Sequence, residues 1–152
     1  MADTSQTEVT MDNIEYKVVK TADPGRILEL YRLAGWWEMD ENPEYLKTVE
    51  GIISNSFCFV IAVLNHEIIG MGRAICDGFS DAYIQDVTVE SSSRGRGIGK
   101  GIIRCLIEFL TTNKIQWIGL ISEPGYERFY QSLGFDVMPG YTPFLLDQSK
   151  LR

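Results

Sequence analysis

Residues 94–101 read Arg-Gly-Arg-Gly-Ile-Gly-Lys-Gly, with four glycines and three cations, and they lead straight into an apolar-periodic stretch. Glycine at a helix entry costs conformational entropy, so the pattern calls for a reason other than helix stability. The first turn of a helix leaves its N–H groups unpaired and carries the positive end of the dipole. Glycines there remove the side chains that would hold an anion off, and a bare backbone can then wrap a phosphate group. Arg94, Arg96 and Lys100 add charge near the same spot. A nucleotide P-loop is excluded, because Gly99-Lys100 is followed by Gly101 where a metal-binding hydroxyl is required. The dinucleotide fingerprint G-x-G-x-x-G fails as well, since counting from Gly95 ends on Lys100 and counting from Gly97 ends on Ile102. A glycine-rich surface turn with solvated cations is the alternative that the segment alone leaves open.

The elements around it must come from one domain. The chain has 152 residues, 45% apolar and 23% charged, enough for a hydrophobic core. No apolar run approaches the roughly 20 residues of a membrane span. Residues 1–12 lack a basic start and an apolar stretch, so they read as a disordered leader and not a signal peptide, with residues 13–152 as the single domain. A formal net charge of −7 argues against a nucleic-acid binder and suits a cationic partner. Cys58, Cys76 and Cys105 sit singly in apolar runs, as small hydrophobes in a reducing compartment, and a cytoplasmic location is expected. The lone His66 reads as a turn residue, and no metal site is expected.

Along the chain, residues 14–20 have strand character, and a helix follows with Asp23 as cap, Pro24 at its first position and Gly35 as stop. Asn42 and Pro43 repeat that grammar for a second helix. Residues 57–64 and 67–76 read as a hairpin turned at Asn65-His66, and residues 82–90 as a further strand. After the glycines, Ile98, Ile102, Leu106, Phe109 and Leu110 recur at helical spacing. Residues 115–122 form a nearly continuous apolar run, expected in the middle of a sheet. Pro124 and Gly134 bracket a last helix, and a final pair of short strands is expected over residues 135–147.

In this order of elements the chain resembles the GNAT superfamily of acetyl-CoA-dependent N-acetyltransferases. Arg94, Gly97 and Gly99 fill the family motif [Q/R]-x-x-G-x-[G/A] after a strand, and Phe129, Tyr130, Gly134 and Phe135 reproduce F-Y-x-x-x-G-F. The resemblance implies an α+β fold, a mixed, mostly antiparallel central sheet of about six to seven strands flanked by about four helices. It implies acetyl-CoA as co-substrate, with its pyrophosphate on the backbone of Arg94, Gly95, Arg96, Gly97, Ile98, Gly99 and Lys100. Val87, Thr88 and Val89 then fall where the family's strand bulges away from its neighbour to receive the pantetheine arm, with a Val87 N–H polarising the thioester oxygen. Tyr130 becomes the candidate acid for the departing thiolate, a phenol near pKa 10 facing a thiol of about 8.5. Asp86 and Glu123 are the candidate bases. Glu123 stands where many members have Asn, and Tyr126 where Ala is common.

The same resemblance places the acceptor under the first two helices and their connection, at Trp36, Trp37, Glu38 and Asp40, with Phe79, Tyr83 and Tyr141 as further aromatic walls. Aromatics beside acids suit a small amine, and residues 83–89 and 129–135 are similar to serotonin N-acetyltransferase-like members. Acetylation of a protein lysine or N-terminus is the rival activity, and a non-catalytic acyl-CoA sensor the rival class, which the presence of Tyr130 disfavours. A homodimer is one option for the assembly.

Overall fold

The computed structural model describes residues 13–38 and 42–151. The expected leader over residues 1–12 lies outside them, as does Asp40. The elements run β1 (Glu15–Val18), α1 (Pro24–Leu33), α2 (Glu44–Asn55), β2 (Cys58–Leu64), β3 (Glu67–Cys76), β4 (Asp81–Val89), α3 (Ile98–Thr112), β5 (Trp117–Leu120) and α4 (Glu127–Gln131). Short 3₁₀ turns lie at Ser91–Ser93 and Gln148–Lys150.

Local chemistry explains most boundaries. Asp23 accepts from the N–H groups of Gly25 and Arg26 at 3.0 and 3.4 Å and so caps α1, with Pro24 opening the helix. Asn42 Oδ1 accepts from Glu44 N–H at 3.0 Å and serves α2 in the same way, although Pro43 occupies the cap position itself. Asn65 and His66 both take positive φ, 49° and 68°, the two-residue turn whose twist suits a hairpin.

The sheet has the order β1-β2-β3-β4-β5, antiparallel except for the parallel pair β4/β5. β2 lies inside it with both faces covered. Cys58, Val60 and Ala62 join Ile98, Ile102, Leu106 and Leu110 of α3 in one core. Phe59, Ile61 and Val63 join Ile27, Leu30 and Tyr31 of α1 and Val49 and Ile53 of α2 in the other. Cys58 is buried in the first core, which pushes its thiol up to about 12 and makes it a hydrophobe in practice.

The fourth glycine of the opening segment serves packing. A Cβ on Gly101 would lie 2.1 to 2.6 Å from the Tyr16 ring, so α3 crosses β1 closely only because that position is bare. Gly101→Ala is expected to force the ring aside in the wild-type background and to gain helix propensity in a Tyr16→Ala background. The coupling between the two substitutions is about 1–3 kcal/mol in a denaturant-unfolding cycle.

The C-terminal part differs from expectation. Among the described residues the sheet has five strands, not six or seven, and β5 is its edge, not its middle. Residues 135–147 form no strand. Pro139 and Pro143 deny that segment two backbone donors, and beyond Phe135, which packs on the core and the Tyr130 ring, its apolar side chains are exposed. α4 is also shorter than its bracketing Pro124 and Gly134 suggest.

Candidate active site

β4 is irregular on both of its sides. Toward β3 the register runs Thr88↔Met71 and then Gln85↔Arg73, so Asp86 and Val87 together face Gly72 and form a bulge. Asp86 takes φ 55°, the left-handed region that an L-residue occupies only when held there. Two groups hold it: Arg73 Nε donates to Asp86 Oδ2 at 2.6 Å, and Tyr31 Oη donates to the same oxygen at 2.7 Å. Burial, then the Asp86 charge, pushes the Tyr31 phenol far up, so it stays a donor. Toward β5 the ladder runs from Asp81↔Trp117 to Ile84↔Leu120 and stops. Among the described residues, β4 has no strand partner on that side from Gln85 onward.

A cavity of about 600 Å³ opens where the two strands part. One wall is Asp86, Val87, Thr88 and Val89 of β4, and another is Leu120, Ile121 and Glu123 beyond β5. Tyr126, Phe129 and Tyr130 come from α4 and its approach, and Ala34 and Trp36 from the end of α1. Arg94, Gly95, Gly97, Ile98, Gly99 and Lys100 complete the lining at the entry to α3.

That entry is built for an anion. Gly97 caps α3 with φ 76°, a conformation glycine takes without strain, and no side chain bonds to the first turn. The first helical bond is Gly101 N–H to the Gly97 carbonyl at 3.0 Å, so the N–H groups of Ile98, Gly99 and Lys100 have no intrahelical acceptor. Arg94 Nε donates to the Val89 carbonyl at 3.0 Å and ties the loop back to β4. Arg96, expected here too, is not part of the lining.

Tyr130 is fixed by the geometry of the F-Y-x-x-x-G-F segment. Gly134 (φ 96°) stops α4 in the left-handed conformation, and Phe135 N–H bonds back to the Tyr130 carbonyl at 3.1 Å. The Phe135 and Phe129 rings then meet the Tyr130 ring edge-on at 5.9 and 5.0 Å. Burial raises the Tyr130 phenol above its ordinary value, and the neighbouring Glu123 and Tyr126 raise it further, so it holds its proton at physiological pH. Across the cavity mouth Glu123 Oε1 accepts from Trp36 Nε1 at 3.0 Å, linking segments 87 residues apart.

The structure thus brings together Asp86, Val87, Thr88 and Val89, residues 94–100 apart from Arg96, and Glu123, Tyr130 and Trp36. Other expected acceptor residues lie elsewhere. Trp37 turns inward, stacked on Tyr31 at 4.6 Å and tilted against Tyr45 at 5.5 Å, as part of the α1/α2 core. Glu38 is exposed, with its carbonyl accepting from Arg32 at 3.3 Å. Tyr83 packs on Trp117 at 5.1 Å, away from the cavity lining. Phe79 and Tyr141 are largely exposed and also outside it. Arg73 and Tyr31 escaped the sequence reading. The available signal was Arg73 itself, a cation within the apolar strand Glu67–Cys76 that demanded an acidic partner.

Comparison with known proteins follows this geometry. The family model described as an acetyltransferase (GNAT) domain matches residues 55–137. An uncharacterized N-acetyltransferase, ycf52, of Pyropia yezoensis is 31% identical over 136 residues, covering 83% of this chain and 75% of the relative. A GNAT-family acetyltransferase of Streptococcus pneumoniae superposes with a TM-score of 0.73 at 25% identity, covering 89% of this chain and 98% of that one. The aminoglycoside acetyltransferase AAC(6')-Iy, solved with a CoA-containing bisubstrate analogue, shares the fold with a TM-score of 0.70 at 18% identity, over 89% of this chain and 99% of that one.

Proposed function

Because this chain belongs to the GNAT family of acetyltransferases, we propose that it moves the acetyl group of acetyl-CoA to a small primary amine. The observation that carries this reading is the end of the β4/β5 ladder at Ile84↔Leu120. Beyond it, backbone without a strand partner faces a cavity shared by a helix entry that has no side-chain cap and a proton-loaded phenol.

The residues present fit the co-substrate. The bare N–H groups at 98–100, with Arg94 and Lys100 beside them, suit a pyrophosphate. The free side of Val87, Thr88 and Val89 suits an extended amide-bearing arm, which would add to β4 as a strand would. The thioester supplies the acyl group and a thiolate leaving group. The amine nitrogen attacks the thioester carbonyl carbon, the C–S bond breaks, and the sulfur takes the proton of Tyr130 Oη. The proton released by the amine goes to Glu123, directly or through water, and from there back to the Tyr130 phenolate. Asp86 is ion-paired with the Arg73 cation and bound by Tyr31, whereas Glu123 accepts only from the neutral Trp36 indole. Asp86 thereby keeps the bulge in place. A small acceptor is favoured by the mouth of the cavity, where Trp36, Tyr126 and Glu123 offer aromatic faces and one negative charge.

The test is thiol release from acetyl-CoA against aryl, aliphatic and polyamine acceptors, with a lysine-containing peptide alongside. Release that depends on a small amine is expected. Release with the peptide alone moves the acceptor to the protein class, and CoA binding without release from any amine overturns the enzymatic reading of this site.

A further inference from the structure

Helix α1 grips β4 at two points. Tyr31 holds Asp86 at the bulge, and Arg26 holds Glu90, the residue that follows the last of β4. Val87, Thr88 and Val89 lie between the two grips. Arg26 reaches three elements at once. Its Nε donates to the Ile68 carbonyl of β3 at 2.8 Å, its Nη1 to Glu29 Oε2 of α1 at 2.8 Å, and its Nη2 to Glu90 Oε2. The Arg26 and Glu90 side chains keep only 20% and 21% exposure.

Glu90 passes that hold on to the turn that follows. Its N–H donates to the Ile69 carbonyl at 2.9 Å and so extends the β3/β4 ladder. Its second carboxylate oxygen accepts from Ser93 Oγ at 3.0 Å and Ser92 Oγ at 3.3 Å, and its carbonyl accepts from Ser93 N–H at 3.0 Å. Ser93 is buried. Burial opposes the Glu90 charge, but the bonds from Arg26, Ser93 and Ser92 outweigh it and hold the carboxyl below its ordinary value. The glycine segment begins one residue later and has little else to fix it. A Cβ on Gly95 or Gly97 would meet nothing within 4 Å, so the backbone there stands clear of the rest of the chain. Its far end is fixed by α3, through the buried Ile98 and Ile102. Its near end is fixed by the Ser91–Ser93 turn and by the Arg94 bond to the Val89 carbonyl.

We propose that Arg26 and Glu90 are positioning residues for the acyl donor, setting where the glycine segment stands relative to the strand that takes the donor's arm. This rests on the acetyl-CoA reading of the cavity and adds to it two residues that do not line it. A donor gripped at its pyrophosphate and along its arm binds well only when both grips are in register, and misplacement of one by about 1 Å is costly.

Two acyl donors test this, because S-acetylpantetheine carries the thioester and the arm of acetyl-CoA without the pyrophosphate. In Arg26→Met and in Glu90→Gln, the KM for acetyl-CoA and the calorimetric Kd for CoA are expected to rise about 10-fold with kcat nearly unchanged. In both variants kcat/KM for S-acetylpantetheine changes less than about twofold. The double variant is no weaker than the weaker single one, since both remove the same pair. Glu90→Gln keeps the shape of the side chain and serves should Arg26→Met fail to fold. Equal losses with the two donors overturn the proposal, since a merely structural role lowers both alike. Unchanged CoA affinity in both variants overturns it too, as does a wild-type chain that does not bind CoA. A wild-type chain that binds CoA without transferring acetyl overturns only the enzymatic reading, and the CoA affinities of the variants then decide the role of the pair by themselves.

Discussion

Replacing Tyr130 by Phe lowers kcat by about 10²–10⁴-fold and leaves the Kd for CoA unchanged. The ring stays, with its edge-on contacts to Phe129 and Phe135, so the α4 wall of the cavity keeps its shape. Only the proton donor is lost, and the thiolate must then leave unprotonated or wait for water. In the native chain burial and the nearby Glu123 and Tyr126 hold the phenol above its ordinary value. A raised pKa keeps the acid form present as pH climbs, so any fall in rate caused by loss of this proton sets in above pH ~10. Steady-state kinetics with the best small-amine acceptor, together with calorimetric CoA binding, separate the two effects. Equal kcat in the variant would remove Tyr130 from the chemistry.

Arg73→Met is expected to cost about 2 kcal/mol of stability, since it leaves the Asp86 carboxylate partly buried without its cation. The loss falls short of that for a fully enclosed pair because the two side chains keep 16% and 24% exposure. For a chain of this size that corresponds to a fall in Tm of roughly 4–8 °C. Adding Asp86→Asn to Arg73→Met should recover much of the loss. The amide has no charge to strand, and Asn tolerates the left-handed backbone of the bulge. The single Asp86→Asn variant then distinguishes two roles for this residue. A clamp loses stability and keeps most of its activity, whereas a base loses activity at nearly constant stability. Thermal unfolding and kcat on the three variants decide the matter.

Elements specified by near neighbours were legible in the sequence. Asp23-Pro24 starts α1, Asn65-His66 turns the hairpin, and the alternation in Cys58–Leu64 sends successive side chains to the two cores. The glycine segment and the F-Y-x-x-x-G-F segment also announced their places, since a bare helix entry and a left-handed stop depend on local backbone. What stayed hidden depends on partners distant in sequence. The bulge at Asp86 is a matter of register against β3, and its cause is a bond to Arg73 thirteen residues earlier and to Tyr31 on another element. Trp36 and Trp37 are adjacent and identical, yet one lines the cavity and the other fills the core. Only the packing of α1 on α2 separates them. The missing final strands are of the same kind, because a strand needs an edge to sit on and local pattern cannot say which edge is within reach.

The last buried residue of the described chain is Ile115, and the fully buried members of both cores lie between Ile27 and that point. Cooperative unfolding is therefore dominated by the elements that carry these buried residues, the β-sheet and α1–α3. Tyr130 and Glu123 ride on the remainder, which joins the core through partly buried residues such as Ile118, Leu120 and Phe135 and opens at a lower cost than the core itself. Catalytic competence and global stability are then two separate equilibria. A melting curve reports on the β-sheet and α1–α3, and can stay constant while the population with Tyr130 in place changes several-fold.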